Sequence, residues 1–165
     1  MDSIYTGRGG QAMLNTIISK LNIKINKPVI LGNQNRPKPN YPFIAYTVTS
    51  PYIQGLGRES RSIEIVDGDT EETRIDQAQI VVSFTAYSDD STEAYDLCLG
   101  VRDYFSNQAE FELRREGIVV VEIEDMQNTD TLIVDDYERR FTIDVRFRFV
   151  HTSNKIYETI EEVNI

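Results

Sequence analysis

The sequence predicts an α+β fold, an antiparallel-rich mixed β-sheet with two main helices packed on one face. Three observations lead there. Arg139–Val150 (RRFTIDVRFRFV) alternates strictly, with Phe141, Ile143, Val145, Phe147 and Phe149 on one side and Arg140, Thr142, Asp144, Arg146 and Arg148 on the other. Gln77–Tyr87 alternates in the same way through Ala78, Ile80, Val82, Phe84 and Ala86. Two further segments place apolar residues at helical spacing. A period of two marks a strand with one buried face, and a period near 3.6 marks a helix with one buried stripe. Segregated strands with only two helices give a sheet backed by helices on its apolar face.

In chain order, Met13, Leu14, Ile17, Ile18 and Leu21 make Gly10–Asn22 an amphipathic helix. The preceding GRGG lacks the Lys-Ser/Thr ending of a phosphate loop and reads as a helix lead-in. Pro28–Leu31 is a short apolar strand, and the proline-rich Gly32–Pro42 ends regular structure. Phe43–Tyr52 alternates as a strand, with Pro51 marking an edge or a bend. Ser60–Val66 is a weaker strand, and Asp67–Asp76 (DGDTEETRID) reads as a charged loop. Asp90 and Glu93 stand at N-cap/N3 spacing before Ala94, Leu97, Cys98, Val101, Tyr104 and Phe105, giving a helix over 91–107. It offers a crossover, and with it one parallel strand pair. Gly117–Met126 is apolar on both faces and reads as a central strand. Gln127–Asp136 reads as a second long loop, and an acidic tail with alternating Ile156, Ile160, Val163 and Ile165 closes the chain. One domain over 1–165 accommodates all of this: helix 10–22, sheet 28–150 and tail 151–165. At ~3.3 Å per residue the strand Arg139–Val150 alone spans roughly 40 Å, about twice the usual length. A strand that outreaches its own core points to pairing with, or covering, a neighbouring subunit.

Composition narrows the chemistry. The 165 residues include 17 basic and 27 acidic ones, a net charge of −10 that disfavours general nucleic-acid binding. No run approaches the ~20 apolar residues of a membrane span, and MDSIYTGRGG is unlike a signal peptide, so the expected setting is cytosolic and soluble. The single cysteine, Cys98, lies on the apolar face of its helix and reads as a buried small hydrophobe. The single histidine, His151, lacks partners at ligand spacing. The nucleophile elbow, the zinc-protease helix motif and the dinucleotide fingerprint are absent, and no cofactor is expected. Asp67, Asp69, Glu71 and Glu72 resemble the start of a calcium loop but lack its sixth-position Gly and twelfth-position Glu. These acids, with Asp130, Asp135 and Asp136, read as solvated or matched by another chain's cations. Arg140, Arg146 and Arg148, with Asp144 between them, suit paired contacts across a subunit boundary; a solvated sheet face is the alternative.

Four blocks read together carry a resemblance: YPFIAYTVTSPYIQG, QAQIVVSFTAYSDDSTEAYDLCLGVRDYF, GIVVVEIEDMQNTDTLIVDDYERRFTIDVRFRF and the closing acidic tail. Over about residues 11–163 the chain resembles the neck or tail-terminator proteins of long-tailed bacteriophages and related prophages. The resemblance implies a structural virion protein without catalytic residues, assembled in the host bacterial cytoplasm. It implies a hexameric ring on the last tail-tube ring, which ends tail growth and presents the surface that joins the head connector. DNA would pass through the lumen without specific binding, and the acidic loops would face that lumen or a ring neighbour. Two alternatives stay open: another tail, tube or baseplate adaptor protein, and a small calcium-binding or hydrolytic module.

Overall fold

The structure is a computed structural model and describes residues 8–57 and 59–157. The expected α+β fold is present. Helix α1 (Arg8–Ile25) leads into β1 (Val29–Leu31), β2 (Phe43–Ile53), β3 (Ser60–Val66) and β4 (Asp69–Ser88). Helix α2 (Ser91–Asp103) continues through a π-helical turn (Tyr104–Gln108) into α3 (Ala109–Arg115). Strands β5 (Val119–Ile123), β6 (Gln127–Asn128), β7 (Thr131–Ile133) and β8 (Asp136–Tyr157) complete the chain. The sheet runs β1-β2-β4-β8-β5, with β3 also on β4 and β6 and β7 also on β8.

Two very long strands form its axis. β4 and β8 pair antiparallel without a register shift from Thr70↔Tyr157 to Ser88↔Arg139. β8 has 22 residues, so at ~3.3 Å each it is roughly 70 Å long, more than its alternation suggested. The helices cover one face of this ladder from Ala78 to its Ser88 end. Ile17 and Leu21 of α1, Cys98 and Val101 of α2, and Leu113 of α3 are buried on Ile80, Val82, Phe84, Ile143, Val145 and Phe147. The Phe105 ring lies 5.2 Å from Phe84 and 5.3 Å from Phe147, centroid to centroid. Cys98 is a buried free thiol whose pKa burial pushes up to about 12, which suits a packing residue. The Asp90 side chain accepts from the Glu93 amide at 2.8 Å, and Ser88 hydrogen-bonds the Glu93 carboxylate, so the expected cap starts α2.

Several expectations need correction. Asp67–Asp76 is not a loop. Only Asp67 and Gly68 turn, and both have positive φ (53° and 94°), the geometry of a two-residue hairpin turn. Asp69–Asp76 is the first part of β4. Gly117–Met126 is not central: β5 occupies the sheet edge and bulges between Val120 and Glu122, so that Val121 is exposed. The parallel pair is β1–β2, because β8 inserts between β4 and β5 and pairs antiparallel with each. Gln127–Asp136 contains β6, β7 and a tight turn at Val134–Asp135 rather than one long loop. The acidic tail is strand as far as Tyr157; Ile160, Val163 and Ile165 lie outside the described residues. Pro51 sits where β2 loses register between Ser50 and Ile53, the bend expected of it.

Candidate assembly surfaces

The helices cover the β4–β8 ladder from Ala78 to its Ser88 end and leave the other end bare. Beyond Asp76 and His151, β3, the start of β4 and the end of β8 continue as a three-stranded antiparallel arm. All of β3 is exposed, and Ile63, Ile65, Val66, Ile75, Ile156 and Tyr157 of the arm are exposed large apolar residues. Two-residue alternation distributes them over both faces, so the arm has no core of its own. At its root the Tyr52 hydroxyl donates to Asp76 at 2.9 Å and the Tyr52 ring meets His151 edge-on at 5.6 Å. The histidine therefore packs on a tyrosine at the junction of core and arm.

Cross-strand pairing sorts the arm's charges. One face holds Arg61, Arg74, Glu72, Lys155 and Tyr157. Glu72 is nearly buried there: it accepts from Arg74 Nε at 2.9 Å and from the Tyr157 hydroxyl at 2.7 Å, with Arg61 at 3.8 Å. Hydrogen bonds from Tyr157 and Arg74 hold its carboxyl below the usual range. Glu72 is thus satisfied inside the chain, which corrects its expected placement among solvent-facing acids. The other face carries Glu64, Asp69 and Glu71, with Glu64 directly opposite Glu71. There Asn154 Nδ2 donates to Glu71 at 2.8 Å, and no Lys or Arg of the described residues lies on that face within the arm; Arg148 and Arg146 follow farther along the same sheet face. Because Glu72 points away from Asp69 and Glu71, the acids do not converge on one point as calcium ligands must.

The helix-free face of the central sheet presents Asp144, Arg146 and Arg148 beside Ser83, Thr85 and Thr142. Thr85 and Thr142 hydroxyls bond at 2.9 Å. Arg146 Nε stands 3.7 Å from Glu122 and is buried without a hydrogen-bond partner. Arg148 makes no ion pair among the described residues. Arg140 differs from both. It is bound to Glu138, whose side chain is 2% exposed and also receives Lys38 Nζ at 3.3 Å and the Tyr41 hydroxyl. Burial opposes ionisation of Glu138, but Tyr41 and Arg140 outweigh it and hold the carboxyl below its usual range. The same contact, after burial, pushes Tyr41 up to about 12. Tyr41, Phe43 and Tyr87 stack beside this cluster, and Arg140 lies 5.1 Å from the Tyr87 ring centroid. Arg140 is therefore a brace of the 36–42 segment, not a free interface cation.

Asp130 is likewise engaged, accepting from the Arg140 amide at 2.8 Å and from Arg139 at 2.9 Å. Burial raises its pKa and these bonds more than reverse that. It pins the β6–β7 strap onto β8. Asp135 and Asp136 remain exposed at the β7–β8 turn, beside Leu132, Ile133 and Val134. The sequence reading missed the Glu138 and Glu72 clusters. Their signals were available: each acid stands two residues from an arginine on the same strand face, Glu138 with Arg140 and Glu72 with Arg74.

The chemistry of these surfaces is that of contact: aliphatic and charged strand faces on an extended sheet. They define a protein built to be one part of a larger structure. A family model of phage neck terminator proteins matches residues 11–165, nearly the whole chain, and the protein belongs to that family. It is a structural component of the neck and tail region of the virion, and the family is not one of enzymes. No curated protein matches the chain. Among the described residues no helix is long and apolar enough to cross a membrane.

Proposed function

We propose that copies of this chain close into a ring, of six, that caps the tail tube, ends its elongation and offers the surface to which the head connector joins. The observation that carries the reading is the arm. In a neck terminator, six large apolar side chains held out beyond the core call for a partner surface. Head-to-tail contacts that close on themselves make rings. Asp144, Arg146 and Arg148 belong to the contact between copies in this reading. Asp67, Asp69, Glu71, Asp135 and Asp136 face the lumen or a neighbouring copy. Acids that line a lumen repel DNA phosphates within the ~8 Å screening length at physiological salt and so keep DNA from sticking as it passes.

The test is to mix the purified protein with tail tubes and view the ends by negative-stain microscopy, with mass photometry of the protein alone. A terminator caps ends and stops growth, and gives a ring mass. Polymerisation into tubes would instead make it a tube protein. A chain monomeric at every concentration that leaves tube ends bare would refute the proposal.

A further inference from the structure

The arm's two faces are finished differently. On the face with Arg61 and Arg74, the two arginines stand opposite each other across β3 and β4. Their repulsion is cancelled within the chain, because Glu72 lies 2.9 Å from Arg74 and 3.8 Å from Arg61, and Glu59 lies 3.1 Å from Arg61. On the reverse face the corresponding like pair is Glu64 opposite Glu71, with Asp69 next along β4. Like charges directly opposite in a sheet are destabilising. Here no cation of the arm's described residues relieves them; their neighbours on this face are uncharged, Ser62, Thr73, Asn154, Val66 and Ile156, apart from Asp69.

The central sheet shows the converse. Arg146 has only a 3.7 Å approach to the exposed Glu122 and no hydrogen bond at Nε, and Arg148 has no ion pair among the described residues. The Arg146 Nε is shielded, but the side chain as a whole is 35% exposed, so its remaining guanidinium nitrogens and those of Arg148 are open to a carboxylate. Planar guanidinium forks match carboxylates in paired hydrogen bonds. We infer that the acidic face of the arm, at Glu64 and Glu71, docks on Arg146 and Arg148 of a second copy of this chain. The occupant is a second copy because acid and base are present in one sequence, the acids near the end of the ladder and the arginines at its middle, too far apart to meet within one chain. Two arms meeting each other would repel, so charge selects arm against centre over arm against arm. The contact joins two different patches of the molecule, and repeated head-to-tail it closes a ring. This rests on the ring reading above and names the surfaces that make it.

The experiment compares the full-length parent with Glu64→Lys/Glu71→Lys, Arg146→Glu/Arg148→Glu and the fourfold variant. Sedimentation velocity over a concentration series reads assembly, tube-end capping is scored by microscopy, and thermal melts check the fold. All four residues lie on exposed or half-exposed strand faces, so melts should move little apart from a small drop where Arg146→Glu stands opposite Glu122. Each double variant should raise the concentration needed for assembly by about tenfold or more, and the fourfold variant should recover most of that loss by restoring the pairs in reverse. Assembly of the arm variant at the parent's concentration, or a fourfold variant no better than the doubles, overturns the docking and leaves the ring intact. An arm variant that forms rings but no longer caps tubes overturns it in favour of a tube-facing arm. A parent that neither assembles nor caps removes the ring reading itself.

Discussion

Replacing Phe147 by alanine measures how the ladder divides into core and arm. Phe147 is fully buried on β8, paired with Ile80 and with its ring centroid 5.3 Å from Phe105, edge to face. Helix cover above it and β5 beside it leave little room to collapse into the space. Phenylalanine-to-alanine changes in cores cost about 3–5 kcal/mol, part of it the lost aromatic contact at about 0.5–1.5 kcal/mol. A domain of 150–250 residues loses about 2–4 °C per kcal/mol, so the melting temperature should fall by roughly 6–20 °C. Ile65, also an apolar residue on a strand, is 79% exposed, and Ile65→Ala should stay within about 0.5 kcal/mol. Urea titrations followed by circular dichroism give both values on one scale, with an unchanged slope showing that the unfolding transition is the same. A Phe147→Ala cost below about 1 kcal/mol, or an Ile65→Ala cost near that of Phe147→Ala, would refute the division.

Three more expectations follow from the side-chain clusters. The carboxyl of Glu138 is held below its unfolded value, so its contribution is present above the ordinary glutamate range and is lost as pH falls through the folded value. Glu138→Gln should cost about 3 kcal/mol at neutral pH, and its gap from the parent should narrow in urea titrations carried from pH 7 towards pH 3; a constant gap would contradict this. Val134, exposed at φ 56°, is a β-branched residue in the left-handed region, so Val134→Gly or Val134→Asn should raise the urea midpoint by the equivalent of about 1 kcal/mol. Cys98, with its pKa at about 12, should react with a thiol reagent only on unfolding, whereas rapid labelling of the native protein would show that α2 opens.

Residues with one buried face were legible. The Phe141–Phe149 alternation, the Ala78–Ala86 alternation and the Asp90 cap each reappear where they were read, since burial imposes the period being read. The arm was not, because the buried positions of Asp69–Asp76 are the acids Glu72 and Asp76, so burial there writes no apolar period. Its one local signal was Asp-Gly at 67–68, the pair that a two-residue hairpin turn favours. β5 misled for the opposite reason: three consecutive valines suggest burial on both sides, yet the bulge turns Val121 to solvent at the sheet edge. Helix α1 runs past Asn22 to Ile25, where Ile25 packs against the core beside Gly100 while Ile23 is exposed, so the apolar spacing alone marked its end too early. Of the charged residues, alternation placed Arg146 and Arg148 on the open face. It did not distinguish them from Arg140, which Glu138 engages from two residues away on the same strand together with Tyr41 and Lys38 from the 36–42 segment.

The unbroken register from Thr70↔Tyr157 to Ser88↔Arg139 has a mechanical consequence. A hinge needs a few residues free to change their backbone angles, and this ladder provides none between the helix-covered region and its far end. The outlying strands are a lever fixed to the body of the molecule, and their heading is set when the sheet folds. Where such a lever grips a neighbour, the angle between successive molecules is carried in each molecule before any contact is made. Sheet twist then governs curvature, and substitutions in the middle of β4 or β8 that alter twist would change the geometry of contacts some tens of ångströms away without touching them.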